Sequence, residues 1–123
     1  MCFSKEYSLT SYIFGTALSI LTFFYSKNKY IKHVSIHVFT FVHIQLLEFL
    51  IWLDNGCGTL NNISSLLILP FLYVQPATLL LAGYYLDTFN LPRKVIIGLA
   101  AIFLYFAVES FILYLPKWRQ LCS

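Results

Sequence analysis

Residues 34–53, VSIHVFTFVHIQLLEFLIWL, form a run of 20 residues in which Glu48 is the only Asp, Glu, Lys or Arg. A helix of roughly 20 residues crosses a hydrocarbon core about 30 Å thick. Three more apolar runs have comparable lengths, at residues 9–25, 63–86 and 95–115. The four runs predict an all-α fold, an integral membrane helical bundle with four transmembrane helices.

The composition of the 123-residue chain agrees with this prediction. It is 59% hydrophobic and 11% charged, against about 25% charged residues in an ordinary soluble domain. Of the eight basic and five acidic residues, only Glu48 and Glu109 lie inside the four runs. This partition excludes a soluble enzyme, a nucleic-acid-binding protein and a disordered tail, and makes the lipid bilayer the expected partner.

The connections between the runs predict how the helices are arranged. They are short, at residues 26–33, 54–62 and 87–94, which favours antiparallel neighbours in a single transmembrane domain of residues 1–123. The first and third connections hold more Lys and Arg than the second connection and the tails together. Because basic residues are retained on the cytoplasmic side, we expect both termini on the non-cytoplasmic side.

The three cysteines, Cys2, Cys57 and Cys122, would then lie on that same side. Cys57 can pair with Cys2 or with Cys122 if the compartment is oxidising. We favour three reduced thiols and leave both pairings open. The spacings match no metal-ligand pattern, and we expect neither a metal nor a cofactor.

The first run carries small residues on one helical face. Ser11, Gly15, Ser19 and Thr22 recur at spacings of four, four and three, which places them in one stripe. Small side chains let membrane helices approach closely. The stripe predicts a helix-packing seam; its alternative is one polar wall of a pore.

Most polar residues of the second run also share a face, which includes His37 and Thr40 but not His43. At 100° per residue, Gln45, Glu48 and Trp52 lie within about 60° of one another. A polar face in a bilayer needs partners inside the protein. We therefore expect this face to point inward.

The third run contains Pro70 and Pro76, with Gln75 near its middle. Proline removes a backbone donor and clashes with the carbonyl four residues earlier. The two prolines predict a kinked helix. Gln75 either bonds a neighbouring helix or belongs to a ligand site.

Glu109 lies past the midpoint of the fourth run by about as many residues as Glu48 lies past the midpoint of the second, so both should sit at a similar depth. A carboxylate near mid-membrane costs about 2.5 kcal/mol or more and marks a functional-site hypothesis. With no Lys or Arg in the runs, we expect one or both acids to be protonated. The hypothesised intramembrane binding site comprises Gln45, Glu48, Trp52, Gln75 and Glu109; the alternative is a neutral acid that only joins helices.

Two short motifs resemble an uncharacterised family of multi-pass membrane proteins from bacteria and large DNA viruses. Residues 1–4, MCFS, are similar to the start of the family's MCFSATASF motif, and residues 45–52, QLLEFLIW, resemble its QQLIEGxxWL segment. Phe49 stands where the family has glycine. The family's chains are longer, with more spans, so the resemblance implies a short or truncated member. It highlights Cys2, Ser4, Gln45, Glu48 and Trp52 without implying an activity.

Three classes of function remain after these observations. The first is a small transporter, channel or accessory subunit with an intramembrane carboxylate site, which would need a homo-oligomer or a larger complex. The second is a structural or assembly protein. The third, a membrane-embedded lipid-modifying enzyme, has little support because no catalytic motif is present, and we assign no catalytic residue.

Overall fold

The computed structural model of the protein describes residues 4–122, which contain helices and no strand. Its four α-helices are α1 (Lys5–Tyr25), α2 (Lys29–Leu53), α3 (Thr59–Leu86) and α4 (Arg93–Tyr114), and a 3₁₀ helix (Leu115–Gln120) follows α4. All four α-helices are long and apolar enough to cross a membrane. The predicted all-α class with four long apolar helices is confirmed.

All four helices begin earlier than the apolar runs, and polar side chains cap the first two of them. The Ser4 side chain accepts a hydrogen bond from the Tyr7 backbone N–H at 3.3 Å, and Asn28 does the same for Tyr30 at 2.9 Å. Such caps satisfy backbone donors that a helix leaves free at its N-terminus. The connections shrink to residues 26–28, 54–58 and 87–92, shorter than the apolar pattern predicts.

The helices pack in chain order. Within residues 4–122, α1 contacts α2, α2 contacts α3 and α3 contacts α4, whereas α1 and α4 are not in contact. The 3₁₀ helix packs on α3 and α4. The result is an open antiparallel bundle, a row with α1 at one edge and α4 at the other.

The predicted small-residue stripe of α1 lies toward α2. A Cβ built on Gly15 would overlap the Val42 side chain of α2. Seven residues further along α1, the Thr22 hydroxyl lies 2.8 Å from the Ser35 hydroxyl of α2. Ser19 is buried and Ser11 is half-buried.

A disulfide joins the α2–α3 connection to the C-terminal segment. Cys57 and Cys122 are bonded, with their Cα atoms 5.4 Å apart. The Asn62 side chain also donates a hydrogen bond to the Arg119 carbonyl at 3.2 Å. The favoured expectation of reduced thiols is wrong for these two cysteines, because the 3₁₀ helix returns the chain to the start of α3. Cys2 lies outside the described residues.

Gly15→Ala tests the α1–α2 contact. Alanine at an open helical site gains up to about 1 kcal/mol over glycine, but at Gly15 the new methyl group meets Val42, whose branched side chain is stiff. We expect the free energy of unfolding to fall by about 1–3 kcal/mol, measured by denaturant titration in detergent.

Gly98→Ala is the matched control for this variant. A Cβ on Gly98 in α4 meets no other atom within 4 Å, so this variant should be neutral or slightly stabilised. Equal stability changes in the two variants would contradict the close packing of α1 on α2.

Candidate functional site

Two groups of hydrogen bonds set the register of α2 against α3. At one end, the His33 Nε2 atom lies 2.8 Å from the Leu79 carbonyl oxygen. At the other end, the Asn61 side chain donates to the Asp54 carbonyl at 3.1 Å. In this antiparallel register, Gln75, which is four residues before Leu79, lies level with the residue four positions after His33.

That residue is His37. Like Gln75, it has a buried side-chain nitrogen that forms no hydrogen bond within the described residues. The Nδ1 atom of His37 and the Nε2 atom of Gln75 are buried and have no hydrogen-bond partner among the described residues. Gln75 is only 7% exposed. His37 lies one turn after His33, on the face of α2 that contacts α3. We call these two side chains the polar pair.

Glu48 forms a separate centre on α2. Its Oε2 atom is buried and lacks a hydrogen-bond partner within residues 4–122. Glu48 lies 11 residues beyond His37, or about 16 Å at 1.5 Å per residue. Polar side chains therefore lie at two different heights along α2. Gln75 of α3 lies at the height of His37 and not at the height of Glu48.

The other predicted site residues lie apart from the polar pair. Gln45, close to Glu48 in sequence, is half-buried. Trp52 is 38% exposed near the end of α2. Glu109 is exposed on α4, and α4 does not contact α2 in the described part of the chain. Glu48 and Glu109, two members of the hypothesised site, are therefore not brought together within residues 4–122, although each lies five residues before the end of its helix.

His33 is the residue that the sequence pattern missed. The Leu79 carbonyl can only accept, so His33 Nε2 carries a hydrogen, and in the neutral ring Nδ1 accepts from the Thr88 hydroxyl at 2.6 Å. The ring also meets Phe89 edge-on at 5.0 Å. Both ring nitrogens form hydrogen bonds, so His33 holds α3 and the residues just after it against α2. Its spacing of four residues from His37 was the available signal.

A second contact joins the start of α2 to the residue that follows α3. The Lys29 ammonium donates to the Asp87 carbonyl at 2.7 Å, and Asp87 adopts a left-handed backbone conformation at the end of α3. The first and third connections therefore lie at one end of the row. The second connection and the C-terminal segment lie at the other, joined by the disulfide.

Comparison with known proteins adds no relative to this description. No family model matches the sequence, and no curated protein and no solved structure matches it significantly. Within residues 4–122, no three His, Cys, Asp or Glu side chains come together as a metal site.

The separation of the two acids predicts that their carboxyl groups do not interact within one chain. Glu109→Gln should leave the infrared carbonyl band of Glu48 at its wild-type frequency, because α2 and α4 are not in contact within residues 4–122. Glu48→Gln should remove that band. The measurement is infrared difference spectroscopy across pH on protein in lipid. A shifted Glu48 band in Glu109→Gln would mean that the two carboxyl groups interact.

Proposed function

We propose that the chain is a multi-pass integral membrane protein whose α1–α4 cross the bilayer, and that it acts as a small proton-linked transporter or as an accessory subunit of one. The polar pair on the facing sides of α2 and α3 carries this proposal. It combines an imidazole with an amide donor, and both buried nitrogens lack a hydrogen-bond partner within residues 4–122.

Unpartnered polar atoms are costly, which is why the polar pair supports a binding role. An unsatisfied buried donor or acceptor costs about 1–3 kcal/mol, and lipid offers no compensation. Buried polar sites of this kind hold water when they are large enough. A water between an imidazole and an amide can pass a proton to and from the ring, since histidine titrates near neutral pH.

The sequence of α3 adds an acceptor close to the polar pair. Pro76 directly follows Gln75 and has no backbone N–H, so the Leu72 carbonyl lacks its usual helical donor. We propose that Pro70 and Pro76 bend α3 in the membrane. Broken or bent helices with freed carbonyls are common at transporter binding sites.

Gln75→Leu tests the proposed site. In liposomes containing a pH-sensitive dye, the wild type should carry protons faster than empty liposomes, and Gln75→Leu should reduce this flux at least tenfold. The same change should leave the free energy of unfolding unchanged or raise it by about 1–3 kcal/mol, because an unsatisfied buried amide is removed.

Thr78→Val serves as the control, because Thr78 lies one turn further along α3 and its hydroxyl bonds only within the helix, to the Val74 carbonyl. It should retain wild-type flux. Wild-type protein that carries no protons, or a Gln75→Leu variant with unchanged flux, would refute the transport proposal.

The second candidate is a structural or assembly role. The open row favours it, since both edges are available to other helices and an acid is exposed on α4. An enzyme remains the weakest candidate. The resemblance to the MCFSATASF family likewise stays a proposal; it is compatible with either membrane role.

We further propose that both termini face a non-cytoplasmic, oxidising compartment. Disulfides persist in such compartments, and Cys57–Cys122 lies at the end of the row opposite Lys29 and Asp87. The basic residues of the first and third connections sit at that opposite end, as the retention of Lys and Arg on the cytoplasmic side requires.

Labelling of intact cells tests this orientation in a Cys2→Ser background. A membrane-impermeant maleimide should label Cys57 and Cys122 only after treatment with an impermeant reductant. A cysteine introduced at Lys94→Cys should react only after the cells are permeabilised. Labelling of that position in intact cells would reverse the proposed topology.

A further inference from the structure

The outward face of α4 presents a carboxyl group to the surroundings of the protein. Glu109 is exposed and lies in a shallow groove with Tyr105, Val108, Ile112 and Leu113. These four neighbours are 58–65% exposed. We call Glu109 and its four neighbours the α4 outer face.

The opposite side of α4 makes the contacts with the rest of the chain. Ile96, Ala100 and Ala107 are buried to within a few per cent, and α4 packs on α3 and the 3₁₀ helix alone among the described elements. Ala107 lies about 200° from Glu109 on the helix. No residue within the described range 4–122 therefore binds the Glu109 carboxyl.

The depth of Glu109 makes this exposure costly in a bilayer. The residue lies five positions inside the C-terminal end of α4, or about 8 Å at 1.5 Å per residue. Lipid tails offer no hydrogen-bond donor or acceptor at this level, and intramembrane acids generally face protein or water. The α1 edge of the row does not need a hydrogen-bonding partner at its apolar positions. Its exposed side chains include the apolar residues Ile13, Phe14 and Leu18.

We propose that the α4 outer face pairs with the same face of a second copy of this chain around a two-fold axis along the membrane normal. The inference requires membrane insertion but not the transport role of the polar pair. A two-fold interface brings the same surface of both chains together. With the axis along the membrane normal, Glu109 of each copy lies at one depth.

The chemistry of the carboxyl group makes this face self-complementary. A protonated carboxyl both donates and accepts hydrogen bonds, so two Glu109 side chains can satisfy each other without a cation. The apolar runs of this chain contain no Lys or Arg. The Tyr105 hydroxyl, on the same face one turn earlier, offers an additional donor.

Space for a neighbouring helix is present along the same side. Gly98 lies within about 20° of Glu109 on the helix. A Cβ at Gly98 would meet nothing within 4 Å, and Gly98 is exposed. The backbone of a second α4 could therefore approach closely, which favours helix association in lipid.

Dimerisation is measured by energy transfer between donor- and acceptor-labelled full-length protein in liposomes, over a range of protein-to-lipid ratios. Wild-type protein should dimerise. Glu109→Leu should weaken dimerisation at least tenfold, whereas Glu109→Gln, whose amide still donates and accepts, should stay within about threefold of wild type. Phe14→Leu, at the α1 edge, should behave as wild type. Denaturant titration of each variant in detergent verifies that it is folded.

The proposal is overturned if wild-type protein stays monomeric at all ratios, or if Glu109→Leu dimerises as well as wild type. It is also overturned if Glu109→Gln fails as completely as Glu109→Leu, which would indicate that a cationic partner helix is required. Gln75→Leu should dimerise normally, so loss of proton flux and loss of dimerisation report separately on the two proposals.

Discussion

Hydrogen bonds of two buried side chains, His33 and Asn61, hold α2 against α3. The two side chains lie at opposite ends of the contact between these helices. The His33 ring is bonded through both nitrogens, and the fully buried Asn61 side chain bonds the Asp54 carbonyl. Removing one partner of a buried hydrogen bond costs about 1–3 kcal/mol. These contacts fix the register of the central helix pair, and α1 and α4 then dock on its two sides.

The fixed register determines which polar side chains of α2 and α3 lie at the same height. Gln75 lies at the height of His37, and both lie about 16 Å along the helix axis from Glu48. The α2–α3 interface therefore has polar side chains at two separate heights. Hydrogen bonds at both ends of the α2–α3 interface hold the helices together, whereas one side-chain nitrogen of each member of the polar pair has no partner within residues 4–122. Buried waters in proteins typically bond polar groups that are otherwise unsatisfied.

The open row gives the two edge helices different properties. The exposed residues of α1 can be covered by lipid, whereas α4 carries the exposed Glu109. Within residues 4–122 the four helices form a row and enclose no central path, so the proposed transport would occur along the α2–α3 interface or within an oligomer. A dimer through α4 would double the row and leave the α2–α3 seam of each copy unchanged.

The sequence by itself determined the four apolar helices and the positions of Glu48 and Glu109 along them, because both depend on counting residues along one helix. It also indicated the face of α1 that packs, through the spacing around Gly15. Only the tertiary structure decided that Glu109 points away from Glu48, that Gln75 lies level with His37, and that Cys57 meets Cys122. These outcomes depend on which helices are neighbours and in what register, and register is set by contacts such as Gly15 with Val42 and His33 with Leu79, which join residues far apart in the chain.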